Sequence, residues 1–135
     1  MQVFKLLDKL PTPQSDDEIL EFRLDGSTIK TEDDFFKAIA SSLSFPDYFG
    51  ENLDALYDCL NDLDWIGQTT IIIQFDNYDD LLSQAQNTFK EDVFSICYET
   101  AFCWAEGQNG EMKDVSFLIE NTEIAKAEFA LWGFE

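Results

Sequence analysis

The chain has no histidine, and it sets only eight lysines and arginines against 28 aspartates and glutamates. Without histidine there is no Ser/His or Cys/His nucleophile pair, and the commonest metal ligand is missing. The three cysteines, Cys59, Cys97 and Cys103, are odd in number and show no CxxC spacing. That count supports neither a disulfide framework nor a zinc site, and reduced, buried thiols are expected. No apolar run approaches the roughly 18 residues that cross a bilayer. The opening residues, Met1 to Asp8, are too short and too charged for a secretory h-region. A soluble, cytoplasmic protein is expected. The net charge of −20 repels nucleic acid and anionic membrane surfaces, so direct binding to either is not expected and a basic protein becomes the natural partner.

What remains is a chain of 135 residues, enough for one domain, with 45% hydrophobic residues and 13 phenylalanines to build its core. Val3, Phe4, Leu6 and Leu7 form a short strand or a helical turn, and Pro11 to Asp17 is a turn-rich connector. Glu18 to Leu24 reads as a strand, with a turn at Asp25-Gly26. Thr31-Glu-Asp-Asp opens a helix carrying Phe35, Phe36, Ile39, Ala40 and Leu43 at helical spacing, and Ser44-Phe-Pro46 stops it. A second helix is expected from about Asn52 to Leu63. Gln68 to Phe75 carries a continuous β-branched run, Thr69 to Ile73, the pattern of a strand buried on both faces. Asp79 to Phe89 and Glu91 to Ala105 read as two further helices, Val115 to Ile119 as a third strand, and Glu123 to Leu131 as a last short helix. Strands alternating with helices predict an α/β fold with a small three-stranded parallel sheet. Residues 18–120 form the domain, with 1–17 and 121–135 as short extensions. The apolar residues Phe129, Leu131, Trp132 and Phe134 predict that the second extension docks on the domain or on a second subunit.

Between Lys37 and Lys90 there is no basic residue, but there are nine acids: Asp47, Glu51, Asp54, Asp58, Asp62, Asp64, Asp76, Asp79 and Asp80. At about 100° per residue, Leu53, Leu56, Cys59, Leu60 and Leu63 share one arc of the second helix. Asp54, Asp58, Asn61 and Asp62 fall opposite, and Tyr57 lies on the border. Asp54 and Asp58 are one turn apart, a like-charge spacing that costs a few tenths of a kcal/mol. A lone charge run is usually a solvated face. Here the absence of local counter-charge, beside aromatics, points instead to a cationic partner.

Catalysis fits poorly. A glycosidase pair flanks a cleft about 5–10 Å wide, whereas Asp54 and Asp58 sit on one convex helix. Asp76-Asn-Tyr-Asp-Asp80 lacks the glycine and distal glutamate of a calcium loop. Neither metal nor cofactor is expected.

Phe45-Pro-Asp-Tyr-Phe-Gly-Glu-Asn-Leu-Asp-Ala-Leu-Tyr-Asp-Cys-Leu60 closely resembles the signature of the barstar family, intracellular inhibitors of barnase-type ribonucleases. The likeness extends more weakly over residues 18–120. It implies a three-stranded parallel sheet whose second helix and preceding loop plug a nuclease active site. By position, Asp58 would take the place of the RNA phosphate, Tyr48 would stack on the catalytic histidine, and Asn52 and Asp54 would bond basic groups at the groove edge. Tyr57 holds a family aromatic position. Glu106 matches a late acidic contact, while Phe102 stands where family members can carry an acid. The implied partner is a basic ribonuclease, bound 1:1 by a chain that is monomeric when free. The alternative is an acidic module of the same fold that neutralises a different toxin nuclease or another basic protein.

Overall fold

The computed structural model describes residues 2–134. Four strands, β1 (Phe4–Leu7), β2 (Ile19–Asp25), β3 (Thr70–Asp76) and β4 (Asp114–Glu120), make one all-parallel sheet in the order β1-β4-β3-β2. The helices are α1 (Glu32–Ser42), α2 (Leu53–Leu60), α3 (Phe89–Glu106) and α4 (Glu123–Trp132). The fold is α/β as read from the sequence, but the sheet has four strands rather than three. The added strand is the N-terminal apolar segment, which lies parallel to β4 with Phe4 opposite Phe117 and Leu6 opposite Ile119. Pairing there satisfies the backbone and buries Phe4, whose ring lies 5.0 Å from Phe129 and 5.8 Å from Phe94.

One sheet face, carrying Leu24, Ile71, Ile73, Phe75, Val115, Phe117 and Ile119, is the core side and is buried. Phe94 of α3 packs on Phe75 with centroids 5.0 Å apart, and Phe129 of α4 packs on Phe94 at 5.1 Å. The β1–β2 connector crosses the opposite face. Its Pro11 carbonyl accepts hydrogen bonds from Gln74 Nε2 (3.0 Å) and Arg23 Nη2 (2.8 Å). Gln74, fully buried, also donates to Glu21 and accepts from Arg23 Nε, so every polar atom of its side chain is engaged. β3 is thus covered on both sides, by hydrocarbon on one and by a satisfied polar strap on the other.

The Asp79–Phe89 helix expected from the sequence does not form. Its place is taken by a single 3-10 turn, Tyr78–Asp80, followed by irregular chain up to α3. Tyr78, Leu81 and Leu82 are all buried at i, i+3, i+4 spacing, the pattern of a helix face, which is why the local sequence reads as a helix that does not form. Leu82 has φ +56°, and its N–H donates to the Ile29 carbonyl, as Gln84 N–H does to Lys30. Tertiary backbone bonds replace the helical ones here. α1 starts as its sequence suggests: Thr31 Oγ1 accepts from Asp34 N–H while the Asp34 carboxylate accepts from Thr31 N–H, a reciprocal capping box.

Candidate functional site

The segment between α1 and α2 is held by aromatic packing that leaves Tyr48 outside. The Phe45 and Phe49 rings meet at 4.9 Å, Phe49 also contacts Phe36, and Phe45 contacts Trp65. Trp65 Nε1–H donates to the Leu43 carbonyl at 2.8 Å, closing the loop over the end of α1. Ser44 and Glu51 take left-handed backbone angles, φ +52° and +50°, at the two ends of this loop. Non-glycine residues hold such angles only where the surroundings over-determine them. Tyr48, with its neighbouring rings turned inward, is 75% exposed. Its phenol is held above the ordinary value, first by local loss of water around the hydroxyl and then by the Asp62 and Asp64 charges.

Asn52 begins α2 by accepting the Ala55 N–H at 2.8 Å, and its amide donates back to the Gly50 carbonyl. Its side chain is therefore largely engaged within the protein. The helical wheel holds within α2, where Leu56, Cys59 and Leu60 are buried, Leu53 is half-buried and Asp54, Tyr57 and Asp58 are exposed. The helix ends at Leu60, three residues before the expected Leu63, which is buried from a left-handed turn (φ +45°), and Asn61 and Asp62 are half-buried. Asp54 and Asp58 thus stand one turn apart on the solvent side, with about 5–6 Å between Cβ atoms at that spacing. Among the described residues no salt bridge reaches Asp47, Glu51, Asp54, Asp58, Asp62 or Asp64; the five that form lie elsewhere.

α3 fixes α2 from behind. Trp104, 1% exposed, donates its Nε1–H to the Leu60 carbonyl at 2.7 Å, satisfying one of the open carbonyls at the end of α2. Gln108 Nε2 donates to Asn61 Oδ1 at 3.3 Å. The Tyr57 phenol is held above its ordinary value, first by Cys103 and more weakly by the Glu99 charge. Glu106, the last residue of α3, is exposed near the same end of α2. Asn52, Asp54, Tyr57 and Asp58 lie on α2 and its cap, Tyr48 on the loop before it, and Glu106 at the end of α3, the helix whose Trp104 bonds the Leu60 carbonyl.

Two groups that support this region, Trp104 and Lys113, were not singled out as supports from the sequence. Lys113 has a fully buried side chain whose ammonium donates to the carbonyls of Gln68 (2.7 Å) and Ile66 (3.0 Å). It also lies 5.4 Å from the centre of the Trp104 ring. A buried cation needs such partners to be tolerated at all. The only hint in the sequence is an isolated lysine just before a strand, and that is weak. Among the described residues no cluster of cysteine, aspartate or glutamate has the arrangement of a metal site, and no helix is long and apolar enough to cross a membrane.

A family model described as Barstar (barnase inhibitor) matches residues 19–120, most of the chain. The chain belongs to the barstar family. A Bacillus subtilis (strain 168) protein named "Putative ribonuclease inhibitor YrdF" is 29% identical to it over 76 residues, which cover 56% of this chain and 79% of that protein. The matched region of this barstar-family chain spans β2 to β4 and includes the loop, α2 and α3. β1 and α4 lie outside it, although Phe4 and Phe129 are buried in the same core.

Proposed function

We propose that this protein inhibits a basic ribonuclease by seating the acidic face of α2 in the enzyme's active site as a mimic of the RNA phosphates. The observation that carries the reading is a rigidly braced helix whose exposed carboxylates have no cation of their own. A ribonuclease gathers cationic groups to bind RNA and to stabilise its transition state. Such groups are complementary to a carboxylate helix. Asp58 is the central group, replacing a phosphate. Tyr48, presented by the loop, stacks on the enzyme's catalytic ring. Asp54 and the remaining amide proton of Asn52 meet basic groups at the groove edge. Tyr57 borders them, and Glu106 reaches the rim. Asp62 and Asp64 add to the steering field, as do Asp79 and Asp80, while Arg23 partly offsets Asp76 at 3.6 Å.

The role is stoichiometric rather than catalytic: a chain monomeric when free forms a 1:1 complex in the cytoplasm, where its three thiols stay reduced. The binding unit is residues 18–120, with the flanking segments supporting it. Purified protein titrated into barnase should abolish RNA cleavage at equimolar ratio. Asp58→Ala should weaken the complex by on the order of 2–5 kcal/mol, because it strands buried cations in the partner. Charged contacts of the barnase–barstar pair themselves contribute to that range. Association should slow steeply as salt rises. Unchanged inhibition by Asp58→Ala sinks the assignment of the site. One observation favours a nuclease other than barnase as the natural partner: Phe102 is apolar and 40% exposed where the family can place an acid.

A further inference from the structure

β1 is an edge strand and pairs with β4 alone. The carbonyls of Val3 and Leu7 accept the N–H groups of Phe117 and Asn121. Backbone groups alternate in direction along a strand, so those of Phe4 and Leu6 point away from β4, toward the free edge. The side chains of Phe4 and Leu6 turn to the core face of the sheet, level with Phe117 and Ile119. With Val3 they line a cavity of about 580 Å³, whose other walls are Tyr98 of α3, Phe129 of α4 and Phe134. The walls brace one another: Phe4 lies 5.0 Å from Phe129 and 5.2 Å from Phe134, and Tyr98 lies 5.4 Å from Phe134. Protein cores leave few voids larger than a water molecule, so a hollow of this size is more than a packing defect. It falls within the roughly 300–1,000 Å³ of ligand clefts.

An open strand edge offers N–H and C=O groups in alternation, which another extended backbone satisfies. Edges are commonly blunted by a charge, a proline or a bulge; Phe4 and Leu6 bring none of these, and the one charge of β1, Lys5, belongs to the opposite face of the sheet. Residues i and i+2 of an added strand would share a face and turn together into the cavity. Its walls are aromatic and aliphatic, so the entering side chains are apolar, and aromatic ones gain most from the rings. A second copy of this chain would bring another charge of −20 to the contact, whereas a basic segment is drawn to it. Charge therefore selects a strand from a basic protein over a twin of β1.

We propose that the free edge of β1 and the cavity beside it form a second docking site, which takes an extended segment of a basic protein carrying apolar side chains at alternate positions. The site stands apart from nuclease inhibition: β1, α4 and Phe134 lie outside the family match, and α2 takes no part in it. The probe is a blocked, fluorescently labelled peptide, Lys-Thr-Phe-Thr-Phe-Thr-Phe-Thr-Lys, titrated with the full chain and followed by anisotropy. It should bind, and hydrogen exchange at the Phe4 and Leu6 amides should slow at least tenfold in the complex. Two versions of the peptide, N-methylated on all phenylalanines or on all threonines, keep its charge but block opposite edges of the added strand. One should bind at least tenfold weaker and the other within threefold of the parent. Leu6→Trp, which fills the cavity, should weaken binding at least fivefold; the methylated pair, read on the unaltered protein, carries the test if that variant does not fold. Asp54→Asn combined with Asp58→Asn should keep the affinity within threefold. Absence of binding overturns the proposal. Equal binding by the two methylated peptides, or a larger loss in the double Asn variant, means attraction to charge alone and also overturns it. A free chain that sediments as a dimer through β1 assigns the edge to a second copy, and free indole entering the cavity while the peptide does not assigns it to a small aromatic molecule; either overturns it too.

Discussion

At the scale of single residues, most of the side chains that make the acid face usable are not acidic. Trp104 contributes one N–H, but it goes to the terminal carbonyl of α2 and so sets where that helix lies. Trp104→Phe should destabilise the protein by roughly 1–3 kcal/mol through the stranded Leu60 carbonyl, with a further loss from the smaller ring. Urea unfolding should show the midpoint falling at an unchanged slope. An unaltered midpoint would mean that the Leu60 carbonyl finds water. Asn52 illustrates a shared role: the same amide that starts α2 faces the proposed partner. Its sequence context marked it as a contact, but its hydrogen bonds to Ala55 and Gly50 make it first a cap.

At the scale of elements, β1 and α4 lie outside the family match yet complete the core at one sheet edge. Phe4 meets Phe94, Phe117, Phe129 and Phe134, so the first strand and the last helix meet each other as well as the sheet. Phe4→Ala should cost about 3–5 kcal/mol, the range for emptying a buried phenylalanine site. Leu131→Ala, at a position 82% exposed, should stay within about 0.5 kcal/mol. Thermal unfolding of the two variants checks both, and a large loss at Leu131 would place an interface on the outer side of α4. α2 itself is only eight residues long, too short to be stable alone, so its form depends on its buried leucines and its two caps.

At the scale of the whole molecule, the charge of −20 acts in two opposed ways. It speeds encounter with a cationic partner, and it repels itself within the fold. Several carboxylates are nevertheless stabilised in the native state. Asp25 is held below the usual carboxylate range, first by the Asn77 side-chain amide at 2.7 Å and then by the Ser27 hydroxyl and N–H. Asp34 is held low by the Lys30 and Thr31 N–H groups. A group whose folded pKa lies below its unfolded value stabilises the fold above the unfolded pKa, about 3.9 for aspartate. That contribution fades as pH falls through the folded pKa. The stability difference between the unaltered protein and Asp25→Asn should therefore be largest above about pH 5 and shrink towards pH 2, as read from chemical unfolding at each pH. A difference that stays constant with pH would show that the carboxylate charge at Asp25 contributes nothing.

The sequence by itself determined the elements whose signals are local. The leucine arc of α2, the Thr31 start of α1 and the β-branched run of β3 each depend on neighbours within a few residues, and each appears close to where it was read. The dense run from Phe45 to Leu60 also carried the family, because sixteen consecutive residues leave little room for coincidence. Only the tertiary structure decided the rest. β1 needed β4, more than 100 residues away, to become a strand, since four apolar residues cannot choose between strand and turn alone. Residues 81–88 gave up helical hydrogen bonds for bonds to Ile29 and Lys30, which no local pattern records. The place of α3 beside α2 rests on long-range bonds from Trp104 and Gln108. Helical periodicity says which residues share a face; only packing decides which faces become neighbours.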